Sequence, residues 1–414
     1  MENFYNLLVF LHHASSIFAS KQMAGLYIHI PFCASRCIYC GFYSTTLLEL
    51  QDRYIDAVCQ EMKMRKQERI ELTKSLPLKG EVGGGLTLYL GGGTPSQLSA
   101  ENLQKLFYNI NKVNGEASEI TIECNPDDLT DEYVAVLAQL PVNRVSMGAQ
   151  TFSDERLRFL HRRHTAEQVR TAVQRLRTIG IRTISIDLMF GFPNETLDDW
   201  ASDINEALAL DVEHISAYCL MYEEGTPLYE KFKSAKVQKL KEETERLMYE
   251  RLIDRLEAAG YEHYEISNFA KEPPLWGGWR GSPSPFRSLH NSNYWNDTPY
   301  IGLGAAAHSY DGQTRSWNVS DIREYIDAIE RGQRPFDYEV LNDDTRYNDL
   351  ITTALRTREG INLTTMEQKY KDYLLENARP SLERNLLRID NQHIHLTREG
   401  LFVSDDVMSD LIWV

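Results

Sequence analysis

The sequence lacks three features that would each have set its class. No apolar run approaches the 18 or more residues of a membrane-spanning helix. Basic residues are in deficit, with a net charge of −16, which disfavours nonspecific binding to nucleic acid. Cysteine is sparse, six in 414 residues, which is too few for a disulfide scaffold. The chain is therefore expected to be a globular protein of two to three domains in a reducing compartment.

The N-terminus lacks the basic region that a signal peptide needs. Its short apolar stretch, LLVFL, follows only MENFYN, and Met23 stands just before the first strand-like run. We therefore expect residues 1–22 to be disordered or not translated, and the protein to be cytoplasmic.

Three of the six cysteines lie together. Cys33, Cys37 and Cys40 form a C-x₃-C-x₂-C loop after an apolar run, whereas Cys59, Cys124 and Cys219 are isolated. Three thiolates do not complete a four-ligand structural zinc site, but they can hold three irons of a [4Fe–4S] cube and leave the fourth iron open. A zinc half-site, a redox pair and incidental thiols remain as alternatives.

Strand-like and helical patterns alternate six times along the chain. The strand-like runs are 26–31, 86–92, 119–124, 144–150, 183–191 and 214–222, and the helical patterns are 51–72, 99–113, 130–139, 153–179 (interrupted near Thr165), 196–210 and 235–260. This alternation predicts a parallel sheet with helices outside it. Six units fit an open sheet as well, but we favour a partial (β/α)₆ barrel.

Unusual residues stand where several of these strands end. GGGTP (91–95) follows the second strand, Glu123 is near the end of the third, Gln150 ends the fourth and Asp187 lies in the fifth. Because a parallel barrel builds its site at these ends, they predict one rim with the cysteine loop. Taken alone, the glycines could form a tight turn, and Glu123 could be a carboxylate exposed to solvent. Asp187 differs, because a carboxylate in a buried strand is costly without a partner.

Three further segments stand apart from the alternating pattern. Two are inserted loops, 76–85 and 271–287, rich in glycine, proline or serine. The third, 336–414, combines helical patterns with a hairpin near Asp390–Asn391, which predicts an α+β, winged-helix-like domain. It carries 15 acidic against 9 basic residues, so DNA binding is disfavoured.

Together these motifs resemble one family. YIHIPFCASRCIYC, GGGTPS, IECNP, RVSMGAQTF, IDLMFGFP, YEISNFA, HNSNYW and GLGAAAHS are similar to the oxygen-independent coproporphyrinogen III oxidase group of radical S-adenosylmethionine (SAM) proteins. The resemblance implies Cys33, Cys37 and Cys40 as ligands of a [4Fe–4S] cluster. It also implies SAM contacts at Tyr27, Tyr39, Gly92, Gly93, Thr94, Glu123, Gln150, Arg162 and Asp187, with Met221 a weaker candidate.

Two branches of that group differ at informative positions. The oxidase branch carries a fourth cysteine two residues after the third, where this chain has Phe42. The HemW-type branch carries an HNxxYW motif associated with haem binding, which matches residues 290–295 here. The resemblance therefore implies haem contacts at His290, Tyr294 and Trp295. The longer loop before His290 makes His308 the second candidate ligand.

The expected function is that of a HemW-type haem chaperone, which binds haem and passes it to respiratory acceptor proteins. The alternative is an enzyme, an oxygen-independent coproporphyrinogen III dehydrogenase that decarboxylates propionates in haem biosynthesis; a cluster-binding scaffold without a small-molecule substrate is a third class. The chaperone is preferred over the dehydrogenase. The expected cofactors are the cluster, SAM and haem. The expected partners are haem, its acceptors and an electron donor, and membrane association through a partner stays open.

The expected organisation has four parts. Residues 1–22 precede the folded protein, 23–265 form the radical SAM partial barrel, 266–335 connect it and carry the HNxxYW motif, and 336–414 form the C-terminal domain.

Overall fold

The computed structural model describes residues 23–74, 85–113, 117–273 and 283–414. Six parallel strands form its centre: β1 (Met23–Ile30), β2 (Gly85–Gly92), β3 (Ala117–Cys124), β4 (Arg144–Gln150), β5 (Thr183–Phe190) and β6 (His214–Cys219). They stand side by side in chain order, and each pairs in parallel with the next. The six predicted strands and the partial barrel are confirmed.

Helices join these strands and cover the outside of the sheet. They are α1 (Gln51–Met64), α2 (Lys66–Lys74), α3 (Ala100–Val113), α4 (Asp131–Leu137), α5 (Asp154–Phe159), α6 (Ala166–Thr178), α7 (Leu197–Ala209), α8 (Pro227–Lys233) and α9 (Glu242–Ala258). The predicted break at Thr165 is confirmed, since Thr165 and Gln168 form a capping box that starts α6. The helix expected over 235–260 begins later, at Glu242, and α8 precedes it.

The sheet extends beyond the six strands on both sides, which the sequence analysis did not foresee. β7 (Tyr261–Glu265) and β8 (Asn268–Lys271) form a hairpin beside β6. On the other side β9 (Tyr300–Leu303) pairs in parallel with β1, and β10 (His308–Tyr310), β11 (Thr314–Asn318) and β12 (Phe336–Val340) follow antiparallel. The short helix α10 (Leu289–Trp295) precedes β9, and α11 (Ile322–Glu330) precedes β12. The sheet of the described residues therefore has twelve strands.

A buried carboxylate fastens this extension to the barrel. Glu61 of α1 is fully buried and accepts hydrogen bonds from Tyr325 Oη (2.6 Å), Gly304 N (2.9 Å) and Asn318 Nδ2 (2.9 Å). Arg65 Nη1 also lies 3.5 Å from Glu61 Oε1. Because a buried charge is costly without such partners, this network holds α1, β9, β11 and α11 in one arrangement.

The C-terminal residues form a separate hydrophobic cluster. Their elements are α12 (Asp343–Ala354), β13 (Ile361–Asn362), α13 (Gln368–Asn377), α14 (Arg379–Glu383), β14 (Leu387–Asp390), β15 (His393–Leu396), α15 (Arg398–Phe402) and α16 (Ser404–Asp410). β14 and β15 are the predicted hairpin, and both residues of its turn, Asn391 and Gln392, have positive φ. These helices and the three-stranded sheet β13-β15-β14 give the expected α+β, winged-helix-like arrangement.

Some predictions fall outside the described residues. These are the state of residues 1–22, all of the first inserted loop except Gly85, and residues 274–282 of the second. No helix in the described ranges is long and apolar enough to cross a membrane.

Candidate functional site

The cysteine loop is closed at its base and anchored at its middle. Cys33 N donates to Thr45 O (2.9 Å), and Thr45 N donates to Pro31 O (2.7 Å), so the chain returns to the end of β1. Ile38, between the second and third cysteines, is buried and exchanges backbone hydrogen bonds with Leu160 and Leu228. The loop is thereby held over the end of the barrel, with Cys33, Cys37 and Cys40 half-buried and free.

The donor set fits a cluster better than a single ion. Within the described ranges, no three or more His, Cys, Asp or Glu side chains are arranged to hold one metal ion. Burial raises the pKa of the Cys33 and Cys40 thiols, so the free loop holds neutral thiols there. Arg162 Nη1 lies 3.7 Å from Cys37 Sγ, so a positive charge stands beside the second thiol of the loop. Three separate thiols on one short loop are the ligand set of an open [4Fe–4S] cube.

The glycine stretch lies directly against this loop. Gly93 N donates to Ile30 O (2.9 Å), and a Cβ on Gly93 would stand 2.7 Å from the Pro31 backbone. Gly92 has φ of +115°, which disfavours any residue with a side chain. Thr94 Oγ1 lies 3.4 Å from Cys33 Sγ. The second strand end therefore offers bare backbone beside the thiols.

Two carboxylates face the inside of the barrel, and both are partly accessible. Glu123 accepts hydrogen bonds from Tyr89 Oη (2.8 Å) and Gly92 N (3.0 Å), and burial raises its pKa to about 7. Burial also raises the pKa of Asp187, to about 6, although the Ser216 hydroxyl and the Arg162 charge oppose the shift. Both carboxylates are thus costly to charge in the free protein, as groups that await a cationic partner would be.

Gln150 and Arg162 complete the rim. Gln150 is buried at the end of β4 and has φ of +66°, an uncommon conformation for a residue with a side chain. Arg162 donates to Asn125 Oδ1 and Gly148 O, both at 2.7 Å, while its buried Nε has no partner within the described residues. Gln150 and Arg162 therefore place the end of β4 beside the cysteine loop, where Arg162 contacts Cys37.

The remaining predicted SAM contacts differ in position. Tyr27 Oη lies 2.9 Å from His29 Nδ1 inside the barrel, and Tyr39 is close enough to Arg162 and Cys37 for their charges to act on its pKa, which burial raises. Met221 follows β6 and is 71% exposed. All the predicted contacts except Met221 are therefore linked around the cysteine loop and the barrel interior.

The HNxxYW motif lies at the opposite end of the barrel from the cysteine loop. His290 packs against Gly25 near the start of β1, and the Leu289 and His290 amides donate to Glu119 at the start of β3. Gly25 and Ile30, which ends β1, are five residues apart, which corresponds to about 17 Å along a strand.

Both ring nitrogens of His290 have a partner. Nδ1 lies 2.9 Å from Thr87 Oγ1 and Nε2 lies 2.9 Å from Tyr294 Oη, while the ring stacks on Tyr89 at 5.1 Å. Burial lowers the pKa of His290 to about 3, so its imidazole is neutral. Trp295 points elsewhere, beneath the Arg356 guanidinium, which is 5.1 Å from its ring. The structure therefore brings His290 and Tyr294 together and separates Trp295 from them.

His308, the second candidate haem ligand, lies on β10 and is exposed. Its ring stacks on Trp317 at 5.9 Å, and both residues line a cavity of about 550 Å³.

Three residues of this site were not predicted from the sequence. Tyr89 and His29 face the barrel interior one strand apart, and Ile38 anchors the cysteine loop. The alternation of Tyr27 and His29 along β1 was the available signal, because residues two apart share a face of a strand. No comparable pattern marks Ile38, whose partners are more than 100 residues away.

Comparisons with known proteins match this architecture. Residues 27–207 match the family model "Radical SAM superfamily", and residues 341–403 match "HemN C-terminal domain". Among solved structures, the coproporphyrinogen III oxidase HemN from Escherichia coli has a TM-score of 0.76 at 22% identity, over 96% of this chain and 92% of that one. At this identity the likeness shows the fold alone.

Curated relatives extend the match to nearly the whole chain. "Heme chaperone HemW" of Bacillus subtilis is 36% identical over 93% of this chain and 98% of its own length. The protein of the same name from Lactococcus lactis is 32% identical over 93% of this chain and 96% of its own length. The chain belongs to the HemW family of radical SAM proteins.

Proposed function

We propose that this protein is a haem chaperone, which binds haem and transfers it to respiratory acceptor proteins in the cytoplasm or at the membrane face. The observation that carries the proposal is the similarity along almost the full length of relatives named heme chaperones. In this proposal the protein carries a [4Fe–4S] cluster and exchangeable SAM, while haem is its cargo.

The rim residues have separate roles in holding the cofactors. Cys33, Cys37 and Cys40 would hold three irons of the cluster, whose remaining iron would be open to SAM. The bare backbone at Gly92–Thr94 and the Glu123 carboxylate receive the amino group. Arg162 and Asp187 bind the remaining polar groups, and Tyr27, Tyr39 and Gln150 enclose the ligand. The raised pKa values of the two carboxylates support this assignment, because a cationic ligand removes the cost of charging them.

The haem contacts that the sequence resemblance implies at His290, Tyr294 and Trp295 would have a specific structural requirement. Axial ligation by His290 requires Nε2 to leave Tyr294 or Nδ1 to leave Thr87, because both nitrogens are occupied. It also requires haem to reach a side chain that is 1% exposed.

Phe42 separates the chaperone from the rival dehydrogenase. It stands where the oxidase branch carries a fourth cysteine, and it is 76% exposed beside the cysteine loop. A large apolar side chain at this place supplies neither a thiol nor a charge. This chain therefore lacks the fourth cysteine that the resemblance to the oxidase branch would require of a dehydrogenase.

One experiment tests the proposal against that rival. The anaerobically reconstituted protein is titrated with haem, and the Soret band is followed; the loaded protein is then mixed with an apo-cytochrome. We expect saturable binding near one haem per chain and appearance of holo-cytochrome. In parallel, the reduced protein with SAM is given coproporphyrinogen III, and we expect no protoporphyrinogen. Product formation without haem binding would refute the chaperone and establish the dehydrogenase.

A further inference from the structure

A cavity lined by a histidine lies beside the strands that extend the barrel. It has a volume of about 550 Å³ and is lined by His308, Trp317, Val319 and Phe336, with Glu324 and Asp337 among its polar residues. This volume lies within the range of small-molecule and cofactor sites. One histidine among two aromatic rings and an aliphatic side chain is the composition of a site for a flat apolar ligand with one metal-binding contact.

The imidazole of His308 is ready to bind a metal. Within the described part of the chain, its ring nitrogens form no hydrogen bond, in contrast to both nitrogens of His290. Partial burial and the nearby Arg315 charge lower the pKa of His308, which keeps the imidazole neutral near pH 7. Neutral imidazole is the ligand form for haem iron.

The cavity also lies at the cluster end of the barrel. His308 is close enough to His29 for its charge to lower the pKa of His29, whose buried Nε2 has no partner within the described residues. The ring of Tyr43, three residues after Cys40, is 5.9 Å from His29. Tyr43 in turn contacts the backbone of Ile322 at the start of α11. The segment after the cysteine loop therefore adjoins the cavity, whereas His290 lies at the other end of β1.

We propose that this cavity, and not the end of the barrel that carries the HNxxYW motif, receives haem, with His308 as an axial ligand and the porphyrin lying along Trp317 and Phe336. This inference rests on the proposed function and names the site at which it occurs. The carboxylates of Glu324 and Asp337 repel the haem propionates, so the propionate edge faces solvent and stays accessible to an acceptor protein. Haem then sits next to the cluster loop, where the state of the cluster and SAM can alter its release.

The test compares three histidine variants of the full-length, reconstituted protein. His308→Ala and His290→Ala each remove one candidate ligand, and His393→Ala removes a surface histidine of the C-terminal hairpin as a control. Each is titrated with haem, and far-UV circular dichroism and cluster absorbance verify its fold. His308→Ala is also titrated with free imidazole present, because only a lost axial ligand is replaced by it.

We expect His308→Ala to weaken haem binding by at least about tenfold and imidazole to restore the wild-type Soret band. His290→Ala and His393→Ala should bind within about twofold of the wild type. Wild-type affinity in His308→Ala, or a loss that imidazole does not repair, would overturn the site while leaving the chaperone intact. A wild type that binds no haem would instead overturn the proposed function itself.

Discussion

Binding of SAM should depend on pH through Glu123. In the free protein burial raises the pKa of this carboxyl to about 7, so much of it is protonated near neutrality. The same shift means that the free protein loses stability as the pH rises from the ordinary value of 4.5 towards 7. SAM is a sulfonium cation, and a positive charge near Glu123 reverses this preference because it favours the carboxylate. SAM must therefore displace a proton from Glu123 when it binds below pH 7.

The size of this effect follows from the pKa. If binding requires the carboxylate, a pKa near 7 weakens SAM binding by about 15-fold between pH 7.0 and 5.5. Asp187, with a pKa of about 6, contributes about a further fourfold over the same interval. Glu123→Gln removes the larger factor and leaves the smaller one. The variant is neutral and nearly isosteric, so the carboxamide still accepts one of the two hydrogen bonds.

The assay is equilibrium binding of SAM to the anaerobically reconstituted protein at both pH values, with cluster absorbance recorded as a control. Wild type and Glu123→Gln are compared at equal cluster content. An equally steep loss of affinity in Glu123→Gln would show that Glu123 does not titrate with binding, and it would remove this residue from the site.

Three further predictions concern the cluster, the ligand and the fold. Cys37→Ala should lose iron while the isolated, buried Cys59→Ala retains it; unchanged iron-to-protein stoichiometry in Cys37→Ala would contradict the ligand assignment. Asp187→Ala should weaken SAM binding about tenfold with cluster absorbance intact, and an unchanged dissociation constant would show that Asp187 does not contact SAM. Glu61→Gln should lower the free energy of unfolding by about 3 kcal/mol in denaturant titrations, since Tyr325 and a backbone amide share its carboxylate; a loss below about 1 kcal/mol would show that the network is not a buried anchor.

The central sheet and its rim were predictable from the amino-acid pattern alone. Apolar runs separated by amphipathic segments dictate parallel strands with helices outside, because only that arrangement buries both faces of such strands. Parallel strands also place their C-terminal ends together, so Gly92, Glu123 and Gln150 could be assigned to one rim with the cysteine loop before any coordinates. Local chemistry sufficed in the same way for the capping box at Thr165 and for the hairpin at Asn391.

The surroundings of that rim, in contrast, depend on contacts between residues that are far apart in the chain. β9 pairs with β1 across about 275 residues of chain, and its four residues carry no periodic signal that could specify a partner so distant. The same long-range pairing places His308 near the end of the barrel that carries the cysteine loop, while α10 places His290 at the opposite end. His290 and His308 have similar polar and aromatic neighbours in the sequence but different surroundings in the structure. Both ring nitrogens of His290 are hydrogen-bonded, whereas those of His308 form no hydrogen bond within the described residues. Availability of an imidazole depends on neighbours that only packing supplies, and no spacing within the sequence encodes it.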